Sequence, residues 1–199
     1  EAFCEALGAM PKICPQFHLA LQSGSDTVLT RMGRRYRSAQ YLEAAQHLRT
    51  VFPHAAFTTD VLTGFPGETE AQFRETLALV EEVGYDSAFT FIYSPRAGTP
   101  AADMPGQIDP ETASERIQRL IGLQNRRQKE TMARLIGQRD EVLVENVSRR
   151  SSEAVSGKGR WGLSVTLPGG VDDIGRILPV TLTELKNNTL MAVREETEK

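Results

Sequence analysis

Three short bends carry the residues best able to meet a ligand: Gln22-Ser23-Gly24-Ser25-Asp26, Gly64-Phe65-Pro66-Gly67-Glu68 and Ser94-Pro95-Arg96-Ala97-Gly98-Thr99-Pro100. Each follows a run of apolar and β-branched residues, so each reads as the loop at the carboxyl end of a strand. Gly64 and Gly67 let backbone approach a bound molecule with no Cβ in the way. Beyond them Glu68-Thr69-Glu70 opens a helical pattern, and the first N–H groups of a helix favour anionic or polar ligand atoms. In α/β proteins ligands gather at this edge of the sheet. Beside the first bend stand Arg31, Arg34, Arg35 and Arg37, four arginines within seven residues. They suit either a solvated helix end or the handling of an anion by bidentate contact.

The elements that must hold these bends follow from the periodicity. Residues 1–14 suit a helix with Phe3, Leu7 and Met10 on one side, and Phe17–Leu21 a short buried strand in which His18 reads as a satisfied core residue. Asp26 can cap a helix over 27–32, and Ser38 opens another carrying Tyr41, Ala44, Ala45 and Leu48 up to Pro53. Residues 56–62 read as the next strand. Thr69 caps a helix bearing Phe73, Leu77, Val80 and Val83, closed by Gly84. Residues 86–93 read as a third strand, ending at Tyr93 and Ser94. Strand–helix units at this spacing imply a parallel sheet with right-handed crossovers. Three strands are too few to close a barrel, so further strands are expected upstream of Glu1. A long amphipathic helix follows over 111–136, and its basic face (Arg116, Arg119, Arg126, Arg127, Lys129) reads as solvated.

After Gly137 the pattern changes to four or five short strands in about 60 residues, separated by Pro-Gly-Gly and Asn-Asn turns; that is the signature of a small all-β, OB-like barrel. The expected division is therefore an α/β part over 1–136 and a β-barrel over 137–199. Within the second part, Ser148–Trp161 sets Arg149, Arg150, Lys158 and Arg160 beside Trp161 with Glu153 as the lone acid. Basic residues next to one aromatic suit phosphate contact plus base stacking; a solvated basic hairpin with Trp161 filling the barrel is the alternative.

Bulk properties narrow the classes. Hydrophobic residues at 40% and charged residues at 25% of 199 are ordinary for a globular chain, and a net charge of −3 excludes indiscriminate coating of nucleic acid while leaving a local basic patch open. No apolar run approaches the roughly 18 residues of a membrane span. Cys4 and Cys14 are too few and too far apart for a disulfide framework or a metal site and read as thiols of a reducing, cytoplasmic compartment. The chain opens without Met inside a helical pattern, as a piece of a longer protein would.

Taken together, His18–Asp26, Asp60–Thr69 and the stretch from Phe89 through Tyr93-Ser94-Pro95-Arg96 to Ala102 resemble the later strands of the radical-SAM barrel in tRNA methylthiotransferases. The closing barrel resembles their TRAM domain, an RNA-binding module. The resemblance implies a partial radical-SAM TIM-like α/β barrel of parallel strands followed by a small all-β barrel. Within the family the phrases Asp86–Tyr93 and Val147–Arg150 through Ser156-Gly157-Lys158 are most similar to the type that inserts a methylthio group at C2 of isopentenyl-adenosine beside the tRNA anticodon. The relatives acting on threonylcarbamoyl-adenosine are the alternative within the family; a non-catalytic RNA-binding protein is the alternative outside it.

The family implies S-adenosylmethionine, two 4Fe–4S clusters, and the tRNA anticodon stem-loop as partner. Three cysteines at Cys-x-x-x-Cys-x-x-Cys spacing hold the radical cluster in the family, and this chain lacks them. It is therefore expected to bind no metal, to be inactive alone, and to work with a missing N-terminal half. By motif position, Gln22, Ser23, Gly64, Phe65, Tyr93 and Ser94 would border the cofactor, with Asp60 and Glu68 as polar ligands or loop braces. Arg34 and Arg96 are candidates for the cofactor carboxylate or tRNA phosphate; Arg149, Arg150, Lys158, Arg160 and Trp161 are candidates for RNA.

Overall fold

A computed structural model describes residues 2–149 and 151–195. The chain divides into two compact units between Gln128 and Lys129, with Cys14–Gln16 grouped with the second. The break falls inside a long helix, whereas the change of sequence pattern comes later, at Gly137.

The first unit holds α1 (Ala2–Gly8), β1 (Gln16–His18), α2 (Asp26–Arg31), α3 (Ser38–Val51), β2 (Ala56–Thr63), α4 (Glu70–Val83), β3 (Ser87–Ile92) and most of α5 (Pro110–Arg134). Its sheet runs in the order β1-β2-β3. β2 and β3 pair in parallel, with Thr58 opposite Ser87 and Thr63 opposite Ile92. Alternation along β2 decides which side is covered. Phe57, Thr59, Val61 and Thr63 are buried, while Thr58, Asp60 and Leu62 are not. Behind the buried side Tyr41, Ala45 and Leu48 of α3, Phe73, Val80 and Val83 of α4, and Leu120 of α5 complete one apolar core. α4 begins where the sequence sets a cap. The N–H of Gln72 donates to Thr69 Oγ1 at 3.3 Å and the N–H of Thr69 to Gln72 Oε1 at 3.0 Å. It ends at Gly84, whose φ of 66° is left-handed.

Four expectations need correcting. The first helix and first strand are shorter than the pattern suggested, seven and three residues. His18 is not a core residue; its side chain is 46% exposed. Asp26 does not cap its own helix but accepts the N–H of Ser38 at 2.7 Å, at the start of α3. The basic face of α5 is not merely solvated: Arg116, Arg119 and Arg126 pair with Glu68, Glu70 and Glu81. Those carboxylates stand in α4 and the loop before it, elements a helical wheel of α5 alone does not show.

The second unit is a closed barrel of β4 (Arg139–Val147), β5 (Ala154–Lys158), β6 (Ser164–Pro168), β7 (Ile177–Lys186) and β8 (Thr189–Arg194), in the order β4-β5-β6-β8-β7 with β4 closing on β7. Its interior is the alternate set Val142, Val144, Val155, Val165, Leu167, Val180, Leu182 and Leu190, each no more than 1% exposed. Asn187 and Asn188 turn β7 into β8 with φ of 47° and 59°, the left-handed pair that a two-residue hairpin turn needs.

Candidate functional site

The three bends stand at one edge of the sheet. Gln22 bridges to Val61 in parallel; its N–H donates to Asp60 O at 2.8 Å and its carbonyl accepts from Leu62 N at 2.9 Å. The N–H of Tyr93 donates to Thr63 O at 2.9 Å, and the Tyr93 ring meets Phe65 edge-on at 5.2 Å. Gln22 holds φ at 64°, left-handed without being glycine. Such a conformation costs about 1–3 kcal/mol, and positions of this kind concentrate at binding sites.

Each bend is braced by side chains from neighbouring elements. Thr76 of α4 accepts the N–H of Gly24 at 2.9 Å and shares a hydrogen bond with Ser23 Oγ at 3.2 Å. A Cβ on Gly24 would stand 2.6 Å from the Thr76 Cα, so only glycine lets the loop sit this close to α4. Arg31 donates to the carbonyls of Pro66 at 2.8 Å and Gly67 at 3.0 Å, and to Gln72 Oε1 at 3.1 Å. From the other side Arg116 donates from Nη1 to both the carbonyl and the carboxylate of Glu68, each at 3.0 Å. The same carboxylate oxygen accepts the N–H of Gly64 at 2.8 Å. Burial pushes the Glu68 carboxyl up from its ordinary pKa, against the pull of the Gly64 N–H and Arg116. Tyr36 donates its hydroxyl to the carbonyls of Ala20 and Leu21 just before the first bend.

The bracing residues Arg31, Thr76, Arg116 and Tyr36 were not singled out as such from sequence. Their signal is thin: each arginine sits in a basic run, and its carbonyl or carboxylate partner lies 35 or more residues away.

Among the sequence-predicted cofactor residues, Gln22, Gly64, Phe65, Tyr93 and Ser94 come together at this edge. Ser23 is wholly buried and its hydroxyl is taken up by Thr76. Glu68 is 2% exposed and braces the loop. These two side chains hold the rim and leave contact to the backbone. Asp60 lies one step down the open side of β2, its Oδ2 3.4 Å from His18 Nε2. The four arginines divide: Arg31 and Arg37 are committed to backbone carbonyls, and Arg34 and Arg35 are exposed, as is Arg96 after β3.

On the barrel, Arg149, Lys158 and Arg160 are exposed; Arg150 lies outside the described residues. Lys158 Nζ reaches Ser164 Oγ at 2.9 Å. Arg160 is anchored by its N–H to the buried carboxylate of Asp140 at 3.2 Å. Trp161 corrects its expected role. It is buried, at 9% exposure, in the turn between β5 and β6, with the Arg160 guanidinium 6.0 Å from its ring centroid, rather than standing free on the surface for a base.

A cavity of about 510 Å³ lies beside the start of β1, lined by Phe3, Leu7, Phe17, Leu19, His47 and Leu48 among others, and does not include the three bends. Among the described residues no three His, Cys, Asp or Glu side chains are grouped to hold a metal ion, and no helix is long and apolar enough to cross a membrane.

Residues 1–80 match the family model of the radical SAM superfamily. The chain is 43% identical over 90% of its length to a tRNA-2-methylthio-N(6)-dimethylallyladenosine synthase from Pelotomaculum thermopropionicum, and 45% identical over 94% to one from Symbiobacterium thermophilum. It spans about 40% of the length of each of these curated relatives. A solved radical SAM enzyme, coproporphyrinogen III oxidase (HemN) from Escherichia coli, is alike over 57% of this chain and 27% of its own at 18% identity and a TM-score of 0.49, too slight a likeness to carry weight. By sequence the chain is similar over nine-tenths of its length to tRNA-2-methylthio-N(6)-dimethylallyladenosine synthases, and over its first 80 residues to the radical SAM superfamily.

Proposed function

We propose that this chain supplies the cofactor-bordering loops and the RNA-binding barrel of a radical SAM methylthiotransferase that acts at C2 of N6-dimethylallyladenosine beside the anticodon of tRNA. The observation that carries the reading is identity of 43–45% to synthases of that name across at least nine-tenths of the chain. The convergence of the three bends on one strand edge supports it. The α/β unit is then part of a radical-SAM barrel, and the closed five-stranded barrel is its TRAM domain.

S-adenosylmethionine fits the strand edge. The strained Gln22 presents backbone there, whereas the missing Cβ atoms of Gly64 and Gly67, with φ of 75° and 72°, leave room for Ala113 and Arg31 of the protein itself and shape the loop rather than admit the ligand. Bound there, the cofactor would supply the radical that abstracts hydrogen and the methyl group to be transferred. Gln22 and Ser94 would offer polar groups to it, Gly64 and Phe65 would border the adenosine, and Arg31 and Arg116 would keep the rim from collapsing inward. The iron–sulfur clusters do not fit these residues: Cys4 and Cys14 are free and ten apart, and no third cysteine exists.

The RNA half of the reading is tested by fluorescence anisotropy of an anticodon stem-loop titrated with the chain. Binding is expected to weaken steeply with salt, and Arg149→Ala to lower the log–log salt slope by about one. An unchanged slope would remove Arg149 from the interface. Failure of the chain to bind RNA at low salt would remove the barrel's proposed role.

A further inference from the structure

One carboxylate buried on β4 serves a turn that belongs to another hairpin. The side chain of Asp140 is 1% exposed. Its Oδ1 accepts the N–H of Glu141 at 2.8 Å and, from the turn between β5 and β6, the N–H of Arg160 at 3.2 Å. Arg160 Nε stands 3.6 Å from the same oxygen. Beside the other oxygen the turn fits only because a side chain is missing: a Cβ on Gly159 would run into Oδ2. Burial pushes the Asp140 carboxyl up from its ordinary range, against the pull of the Glu141 and Arg160 N–H groups. A carboxylate this deep is costly unless donors meet it, and Arg160 supplies one from outside its own strand.

Closing the turn does not need Asp140. The N–H of Gly162 donates to Gly159 O at 2.9 Å, and the N–H of Gly159 to Leu163 O at 3.1 Å. What the carboxylate adds is the direction in which Arg160 leaves the turn, with its guanidinium 6.0 Å from the centroid of buried Trp161 and its side chain still 49% exposed. We infer that Asp140 is a positioning residue for RNA, holding the 159–162 turn so that Arg160 meets one phosphate; this rests on the RNA-binding role proposed above for the barrel. An arginine held in place beforehand loses less freedom when it binds a phosphate. Asp140 is itself too deeply buried to present its own charge to that phosphate.

The test is the salt dependence of binding between an anticodon stem-loop and the 199-residue chain. Arg160→Ala is expected to lower the log–log slope by about one. Asp140→Ala should lower it by about the same amount although every cation remains, and the double variant should lower it no further. Simple removal of a negative charge would instead tighten binding. Asp140→Asn keeps an oxygen for both N–H groups and should restore the wild-type slope. A merely structural Asp140 would lower the urea midpoint, followed by Trp161 fluorescence, and leave the slope of the folded chain alone. That result, an unchanged slope in Arg160→Ala, or additive losses in the double variant overturns the inference. Where Asp140→Ala does not fold, Gly159→Ala decides, because its Cβ unseats the turn and keeps the carboxylate. A slope lowered by about one sustains the inference, and a wild-type slope overturns it. If the wild-type chain binds no RNA at low salt, the RNA reading fails and takes this inference with it; binding that is alike in wild type and every variant overturns the inference alone.

Discussion

The two units meet the same demand, a sheet with an apolar side, in opposite ways. The barrel closes β4 on β7 and buries one alternate set of valines and leucines inside, while Leu143, Ile177 and Val193 of its strands remain exposed beside polar and basic residues. The α/β sheet buries one side under α3, α4 and α5 and leaves the other open, with Phe89 and Phe91 uncovered. The difference separates two kinds of site. Closure leaves an outer surface on which charged residues such as Arg149 and Lys158 are exposed. An open parallel sheet yields an uncovered side and a rim of strand-end loops. It also explains where buried ion pairs occur. The barrel's buried carboxylates, Asp140 and Asp173, pair with arginines whose side chains are 40% or more exposed, whereas at the rim of the open sheet both Glu68 and Arg116 are buried, at 2% and 5% exposure.

That contrast is broken most severely at Arg116. Leaving Glu68 buried without its partner in Arg116→Met should cost the α/β unit about 3–5 kcal/mol, measured as loss of helical circular dichroism in urea. Arg119→Met, whose ion pairs are a third or more exposed, should cost under about 1 kcal/mol. Equal effects would mean that the rim is not braced from within. A smaller step is Thr69→Ala, which removes the cap on α4 and should cost about 1 kcal/mol by the same measurement. No loss would show the cap to be idle.

The finest distinction is one of pH, and it concerns the barrel. Arg194 first, and then the Gly170 N–H, hold the Asp173 carboxyl below its ordinary range. A carboxylate depressed on folding stabilises above its unfolded pKa, near 3.9, and the contribution fades as pH falls through the lower folded value. The single tryptophan, Trp161, lies in the barrel and reports its unfolding. Below about pH 4 the wild-type barrel should lose stability more steeply than Asp173→Asn. Parallel acid limbs would contradict the pairing.

Much of this was legible in the chain because local signals agreed. Alternation gave β2 and the barrel strands, Thr69 and Gly84 bounded α4, and Asn187-Asn188 marked a hairpin. The three bends were visible as glycine-bearing breaks after apolar runs. What escaped was set by distant partners. Arg31 and Arg116 look like surface cations until the carbonyls and carboxylate they serve are brought to them from 35 and 48 residues away. His18 sits in an apolar stretch, yet a three-residue strand leaves it on the open side. Trp161 sits beside Arg160, yet it is buried at 9% exposure. In each case tertiary context overruled a plausible local reading.

The central claim is that the three strand-end bends together border a nucleoside cofactor, and a titration of isotopically labelled chain with S-adenosylmethionine, followed by amide chemical shifts, tests it most directly. The account predicts joint movement of Gln22, Gly64, Phe65 and Ser94. Shifts confined to the cavity lined by Phe3, Leu7 and Phe17, or no shift at saturating cofactor, would contradict it.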